Sequence, residues 1–299
     1  MSLFDWFVTR SLPLVPKPIV WQFSKKYIAG PHLEDAVRTA RDLNSHGMMA
    51  TIDVLGEDVR LPEETRGYAA QYLQVLEAIS RQGLEANVSV KPTQMGLALS
   101  RDLCFENVES IVSKASSLGN FVRLDMENIP YTDDTIDLYR RLRTEHENVG
   151  LAAQAYLFRS IDDVRALASL SPNYRLCKGI YIEPRSVAYK DKDVIRRNFG
   201  LLLQEMLRTK SYVGIATHDE QLVWEGWRLV DAYGLGRDAY EFQMLLGVRE
   251  DLRTVIVDKG HRLRVYVPFG RHWHAYSMRR LRENPTVARH IIRSVLGLD

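Results

Sequence analysis

Cysteine is scarce: Cys104 and Cys177 are the only two in 299 residues, far apart and outside any C-x-x-C pattern. That argues against a disulfide framework and fits a reducing, cytosolic compartment. No uninterrupted apolar run is long enough to span a bilayer. The most apolar stretch is residues 1–30, but Asp5, Arg10, Lys17 and three prolines interrupt it, and it lacks the layout of a cleavable signal. Its Phe4, Trp6, Phe7 and Trp21 suit capping a core, with contact to a membrane surface as the alternative reading. A strong charge of one sign is missing too. Forty basic residues against 38 acidic ones give a net charge of +2, which makes no case for nucleic acid as a partner.

Several catalytic signatures are absent. There is no G-x-S-x-G elbow, no H-E-x-x-H and no G-x-x-x-x-G-K-[ST]. Gly234-Leu-Gly236-Arg-Asp-Ala239 matches G-x-G-x-x-A, but it lies between a helix and the next strand. A dinucleotide loop must run the other way, from strand into helix. His272 and His274 are two apart, which on a helix sends them to different sides and argues against a metal pair. His218 has no second ligand at a sensible spacing, so it suits a phosphate or ring contact better.

What is present is an ordinary globular composition, 45% hydrophobic and 26% charged, with a regular rhythm. After residue 30, amphipathic helical runs alternate with short β-rich runs that end in polar residues or glycine. The helical run HLEDAVRTARDLNSHG precedes ATIDVLGE, and Leu61 to Gln82 precedes ANVSVKPTQMG. FENVESIVSKASSLG precedes NFVRLDMEN, and the pattern continues through VGLAAQAYL, YRLCKGIYIE, YVGIATHDE and YEFQMLLG to LRVYVPFG. Eight strands that read as buried and non-alternating, each followed by a helix, predict a parallel (β/α)8 TIM-like barrel rather than a doubly wound sheet. No linker or composition shift divides the chain. The expected layout is a single domain: an N-terminal helical arm over 1–30, the barrel over 31–285 and a tail helix over 286–299.

In such barrels the active site lies at the C-terminal strand ends. Those ends carry Asp53, Lys91, Asp125, Gln154, Lys178, Thr217 with His218, Gln243 and Tyr266. Singly, each has a bland reading: Asp53 as a helix cap, Gln154 satisfying a buried carbonyl. Eight converging on one rim predict a polar pocket. Arg175 sits inside an apolar strand, where a charge is costly without an anionic partner; a cofactor phosphate, a carboxylate, an electron-rich ring, or an ion pair with Asp125 or another core acid would each serve. Beyond the last strand, Tyr276, Arg279, Arg280 and Glu283 fall on one helix face. The two guanidiniums suit a small carboxylate ligand, and a solvated basic face is the alternative.

These residues fall into blocks, ATIDVLGE, VSVKPTQMG, RLDME, QAYL, RLCKGIYIE, ATHD, EFQML and YVPFG leading to Y-x-x-R-R-x-x-E, whose order resembles the flavin-dependent proline dehydrogenase family in its short bacterial form. The resemblance runs from about Gly30 to Pro285. It implies oxidation of L-proline to Δ1-pyrroline-5-carboxylate, with hydride passing from C5 to FAD. It implies substrate contacts at Lys91, Tyr181, Tyr276, Arg279, Arg280 and Glu283, with Tyr266 packed on the proline ring and Asp125 needed for activity. FAD would be held by Met126, Gln154, Lys178, Gly179, Ile180, Thr217 and His218, with Arg175 near its reactive nitrogen. A membrane quinone as electron acceptor, a separate pyrroline-5-carboxylate dehydrogenase downstream, and a cytoplasmic protein meeting the inner face of the cell membrane follow from the same resemblance. The chain departs from the family at Ile180, where alanine is common, at Cys177, where valine is common, and at Leu246, where tyrosine is frequent. A 4-hydroxyproline oxidase and a non-catalytic proline- or flavin-binding regulator are the competing readings.

Overall fold

A computed structural model of the chain describes residues 17–56, 59–274 and 276–278. Eight short strands form its centre: β1 (Met49–Val54), β2 (Ala86–Val90), β3 (Val122–Leu124), β4 (Val149–Gln154), β5 (Asn173–Cys177), β6 (Tyr212–Ala216), β7 (Tyr240–Leu245) and β8 (Leu263–Phe269). Each pairs in parallel with the next, and β8 returns to β1 over six residue pairs from Met49↔Arg264 to Val54↔Phe269. The sheet is therefore a closed barrel, as the strand–helix rhythm predicts, and it has no open edge.

The crossovers are α3 (Pro62–Gln82), α4 (Arg101–Ser117), α5 (Thr132–Arg143), α6 (Ser160–Leu167), α7 (Lys192–Arg208), α8 (Glu220–Ala232) and α9 (Glu250–Asp258); α1 (Lys17–Ser24) and α2 (Leu33–Ser45) precede β1. Local chemistry sets their ends. Pro62 opens α3, where a missing N–H costs nothing, and the Glu64 carboxylate accepts from the Arg60 and Leu61 amides. Left-handed Gly83 closes it. α4 starts at Arg101, four residues earlier than the apolar pattern indicates, because Ser100 Oγ accepts from the Leu103 amide and caps it there. On α8, Leu222, Val223, Gly226, Leu229 and Val230 make the buried face, three and four residues apart.

The strands are buried on both faces, as expected, yet their polarity alternates. One face carries Ile52, Val88, Leu124, Leu176, Ile215 and Val265 into a single apolar cluster with the helices. Each such side chain contributes about 1.5–3 kcal/mol by leaving water. The other face puts polar side chains into the lumen, shown by bonds between strands that are not neighbours, such as β5 to β2 and β5 to β7. Near the lower end Arg123 donates to the Leu151 and Asn173 carbonyls and to Asn173 Oδ1. Burial pushes its pKa down to about 9.

Gly150 on β4 makes room for that guanidinium: a Cβ there would lie 2.4 Å from Arg123 Nη1 and 2.5 Å from the Asn173 carbonyl. Gly150→Ala is accordingly expected to cost about 1–3 kcal/mol by overpacking. Thermal unfolding measures it, and an unchanged Tm would show that the lumen has slack there.

The described part of the N-terminal arm lies against the exit of β8. The Ala29 amide donates to the Pro268 carbonyl at 2.9 Å, and Trp21 meets Trp273 edge-on at 4.8 Å between centroids. The expected tail helix over 286–299 lies outside the described residues.

Candidate active site

At the upper rim the lumen side chains connect into one network. Arg175, 8% exposed, leaves β5 and places Nη1 2.5 Å from Asp125 Oδ1 and 2.9 Å from Ser89 Oγ. Ser89 Oγ donates to the same Asp125 oxygen at 2.7 Å. Tyr266, on β8, donates its hydroxyl to Asp125 Oδ2 at 2.9 Å. Lys91, one residue past β2, donates to Asp53 Oδ1 at 2.7 Å and to the Tyr266 hydroxyl at 3.4 Å, and lies 3.7 Å from Asp125. The Arg175 guanidinium carbon lies 5.2 Å from the centre of the Tyr266 ring. Of the partners open to Arg175 on sequence grounds, two are formed among the described residues: the ion pair with Asp125 and the contact with the Tyr266 ring.

The two acids respond oppositely to this setting. Burial raises Asp125, but Arg175 and Lys91 pull it down further, helped by the Ser89 and Tyr266 hydrogen bonds, so it ends below the usual carboxylate value. Asp53 is raised, because burial outweighs the attraction of Lys91. Its Oδ2 has no hydrogen-bond partner among the described residues, and Tyr72 contacts Oδ1 at 3.2 Å. Tyr266 is raised well above the ordinary phenol value by burial and by both carboxylates, so its hydroxyl remains a donor.

The residues expected to hold a cofactor lie along the β3–β6 rim. Gln154 donates from Nε2 to the Glu127 carbonyl at 2.9 Å, while its buried Oε1 has no partner among the described residues. Met126 is half-buried against the core. Lys178 Nζ pairs with Asp219 Oδ2 at 3.0 Å, and Arg196 reaches the same oxygen at 2.8 Å. Asp219 also caps α8. Gly179 has φ +109°, a conformation that suits glycine, and a Cβ there would meet the Tyr156 ring at 2.2 Å. Ile180 is exposed beside it. Thr217 is buried, and its hydroxyl accepts from the Asp219 amide. His218 Nε2 accepts from the Leu245 amide at 2.7 Å, which fixes its ring to the end of β7. Burial pushes the Cys177 thiol up to about 11, so it stays protonated.

Of the residues expected around a carboxylate ligand, Lys91 joins the network just described. Tyr181 lies half-buried on the loop from β5 to α7, and Tyr276 is buried in a cluster with Ile28 and Leu55. Arg279, Arg280 and Glu283 lie outside the described residues. A cavity of about 630 Å³ opens beside the ends of β1 and β8 against α2 and α3, lined by His32, Leu55, Tyr68, Gln71, Phe269 and His272 among others. It touches neither Lys91 nor Asp125 nor Arg175.

The sequence reading missed the tier below Arg175. Glu241 pairs with Arg264 through Nε at 2.7 Å and Nη2 at 3.0 Å, and it accepts the Tyr212 hydroxyl at 2.9 Å. The available signal was a polar side chain at every second residue within apolar strands, as in Glu241-Phe-Gln243 and Arg264-Val-Tyr266.

The profile of the proline dehydrogenase family matches residues 36–292. The chain belongs to the proline dehydrogenase family. A proline dehydrogenase of Deinococcus radiodurans is 36% identical over 282 residues, covering 93% of this chain and 91% of its own. Proline dehydrogenase 1 of Bacillus subtilis is 35% identical over 273 residues, covering 91% and 90%. In three dimensions the chain is similar to proline utilization A from Bdellovibrio bacteriovorus, inactivated by N-propargylglycine in that crystal structure. The TM-score is 0.81 at 24% identity, over 88% of this chain and 32% of that longer one. The last likeness supports the fold alone, and the family's barrel is the barrel described above.

Proposed function

We propose that the protein is an FAD-dependent proline dehydrogenase that oxidises L-proline to Δ1-pyrroline-5-carboxylate. The observation that carries this reading is the cluster of Lys91, Asp125, Arg175 and Tyr266 at the strand ends of a chain that belongs to this family. FAD fits the β3–β6 rim: Gln154 Oε1, without a partner among the described residues, needs an N–H donor, which a flavin imide carries, and Met126, Lys178, Gly179, Ile180, Thr217 and His218 complete the holding set. When bound, FAD supplies the two-electron acceptor for the hydrogen leaving C5 of proline.

The protein's own groups do the rest. Lys91, Arg279 and Arg280 hold the substrate carboxylate, with Tyr181, Tyr276 and Glu283 around it. Cations on this side disfavour the ammonium form of the substrate, so the amine gives up its proton before oxidation. Tyr266 packs on the proline ring. Its hydroxyl is tied to Asp125 and contacted by Lys91, so it resists swinging aside for a ring hydroxyl, which favours proline over 4-hydroxyproline. Arg175 provides positive charge where the reaction develops negative charge. A membrane quinone receives the electrons, and a separate pyrroline-5-carboxylate dehydrogenase takes the product. A cytoplasmic protein that meets the inner membrane face suits that acceptor, and among the described residues no helix is long and apolar enough to cross a membrane.

The purified protein is expected to show a flavin absorption spectrum that L-proline bleaches. Lack of flavin, or a flavin indifferent to L-proline, would sink the reading. Arg280→Met is expected to raise KM for L-proline by about a hundredfold through loss of a forked contact. An unchanged KM would remove Arg280 from the substrate site.

A further inference from the structure

The contact on the Nε edge of Arg175 has no role in the scheme above. Arg175 Nε donates to Gln243 Oε1 at 2.7 Å, and Gln243 Nε2 donates to Glu241 Oε1 at 2.6 Å. Below that, Glu241 is tied to Arg264, whose Nη1 reaches the Ala50 carbonyl at 2.8 Å. Gln243 and Glu241 are both buried. On the neighbouring strand β6 sits Gly214, where a Cβ would lie 2.3 Å from Gln243 Nε2. The amide therefore fills a slot that the glycine leaves open.

We propose that Gln243 is the positioning residue for Arg175 and that the Glu241–Arg264 pair beneath it fixes which way its amide faces. An amide between a carboxylate and a guanidinium has one favourable orientation, with NH2 toward the acid and the carbonyl toward the cation. Turning it over would set carbonyl against carboxylate and NH2 against guanidinium, losing both hydrogen bonds inside the barrel. Asp125 and Ser89 hold the Nη1 end of Arg175, and Gln243 holds the Nε edge, so the guanidinium plane is fixed at two points. With the Nε contact gone, Arg175 stays charged and paired but turns about its Asp125 contact. It then loses aim rather than charge.

The consequence is a split in kinetics. The inference rests on reading Arg175 as the residue beside the flavin, whereas the substrate carboxylate is assigned to other side chains. Gln243→Met keeps the volume and removes both polar contacts. It is expected to slow flavin reduction at saturating L-proline by about a hundredfold per bound flavin, with KM changed by less than about threefold. The midpoint potential of the bound flavin should shift to a more negative value. Gln243→Glu keeps an oxygen facing Arg175 Nε but sets a carboxyl against Glu241 Oε1, so it should recover the lost rate only as pH falls and that pair takes up a proton to share. Gly214→Ala, which crowds the amide without removing it, should give the same split more mildly and serves if Gln243→Met does not fold.

Arg175→Lys separates the two levels of the argument. If it leaves rate and potential unchanged, the reading of Arg175 fails, and this inference with it. If it alters both while Gln243→Met and Gly214→Ala retain the wild-type rate per flavin and the wild-type potential, only the positioning role of Gln243 is overturned. A fall in Tm or flavin content at Gln243 with an unchanged rate per flavin would likewise reduce Gln243 to a structural part.

Discussion

Arg175→Met is expected to lower kcat for L-proline by about a hundredfold or more and stability by about 3–5 kcal/mol. The stability loss follows from what remains behind. Asp125 sits in the lumen with Arg175 2.5 Å from one oxygen, Lys91 3.7 Å from the other, and hydroxyl donors at Ser89 and Tyr266. Removing the nearer cation leaves a buried carboxylate that burial alone pushes toward protonation. Gln243 Oε1 loses its donor at the same time. The kinetic loss has a separate origin, the withdrawal of fixed positive charge from the reaction site. Arg175→Lys should fall between wild type and Met, since a single ammonium cannot serve the Gln243 and Asp125 edges together. Chemical denaturation measures the first effect and steady-state turnover of folded, flavin-loaded enzyme the second. Wild-type turnover in Arg175→Met would eliminate Arg175 from the chemistry. Wild-type stability would mean that the ion pair with Asp125 contributes nothing net.

The second large effect is the acid limb of stability. Asp125 and Glu241 both have depressed pKa values in the folded protein: burial raises each, but Arg175 with Lys91, and Arg264, pull them lower. A depressed carboxyl stabilises the fold above its unfolded value, about 3.9 for Asp and 4.3 for Glu. That contribution is lost as pH falls through the folded value. Asp53 and Glu127 act the other way. Burial raises both, so what they contribute is present below the unfolded value and lost as pH rises through the folded one. The protein should therefore lose Asp125- and Glu241-linked stability below about pH 4. Asp125→Asn should be less stable at pH 7 and fall less steeply below pH 4, because it has no proton to take up there. Melting curves from pH 7 to 3 decide; parallel curves for the two proteins would show that Asp125 is not held as an ionised partner.

Both effects turn on pairs that local pattern reading could offer only as one option among several, as for Arg175 with Asp125, or not at all, as for Glu241 with Arg264. A period of 3.6 or 2 speaks for neighbours along one element. Asp125 and Arg175 are 50 residues apart, Arg175 and Gln243 68, Ser89 and Arg175 86, and Asp125 and Tyr266 141. The sequence shows that each strand ends on a polar group, and barrel closure by β1 and β8 makes those ends converge. Which ends touch depends on the stagger between strands. A shift of β5 or β7 by one residue against its neighbours would turn Arg175 or Gln243 out of the lumen.

By itself, then, the sequence determined the barrel, the polar strand ends of its rim and the family, because strand–helix alternation and ordered motif blocks are local and survive without coordinates. Tertiary structure alone decided that Asp125 rather than another acid neutralises Arg175, that Lys91 is braced by Asp53, and that an amide locked by Glu241 and seated against Gly214 holds the arginine's other edge. The physical reason is that a buried charge takes whichever partner the closed sheet brings within hydrogen-bonding reach, and that depends on register rather than on distance along the chain.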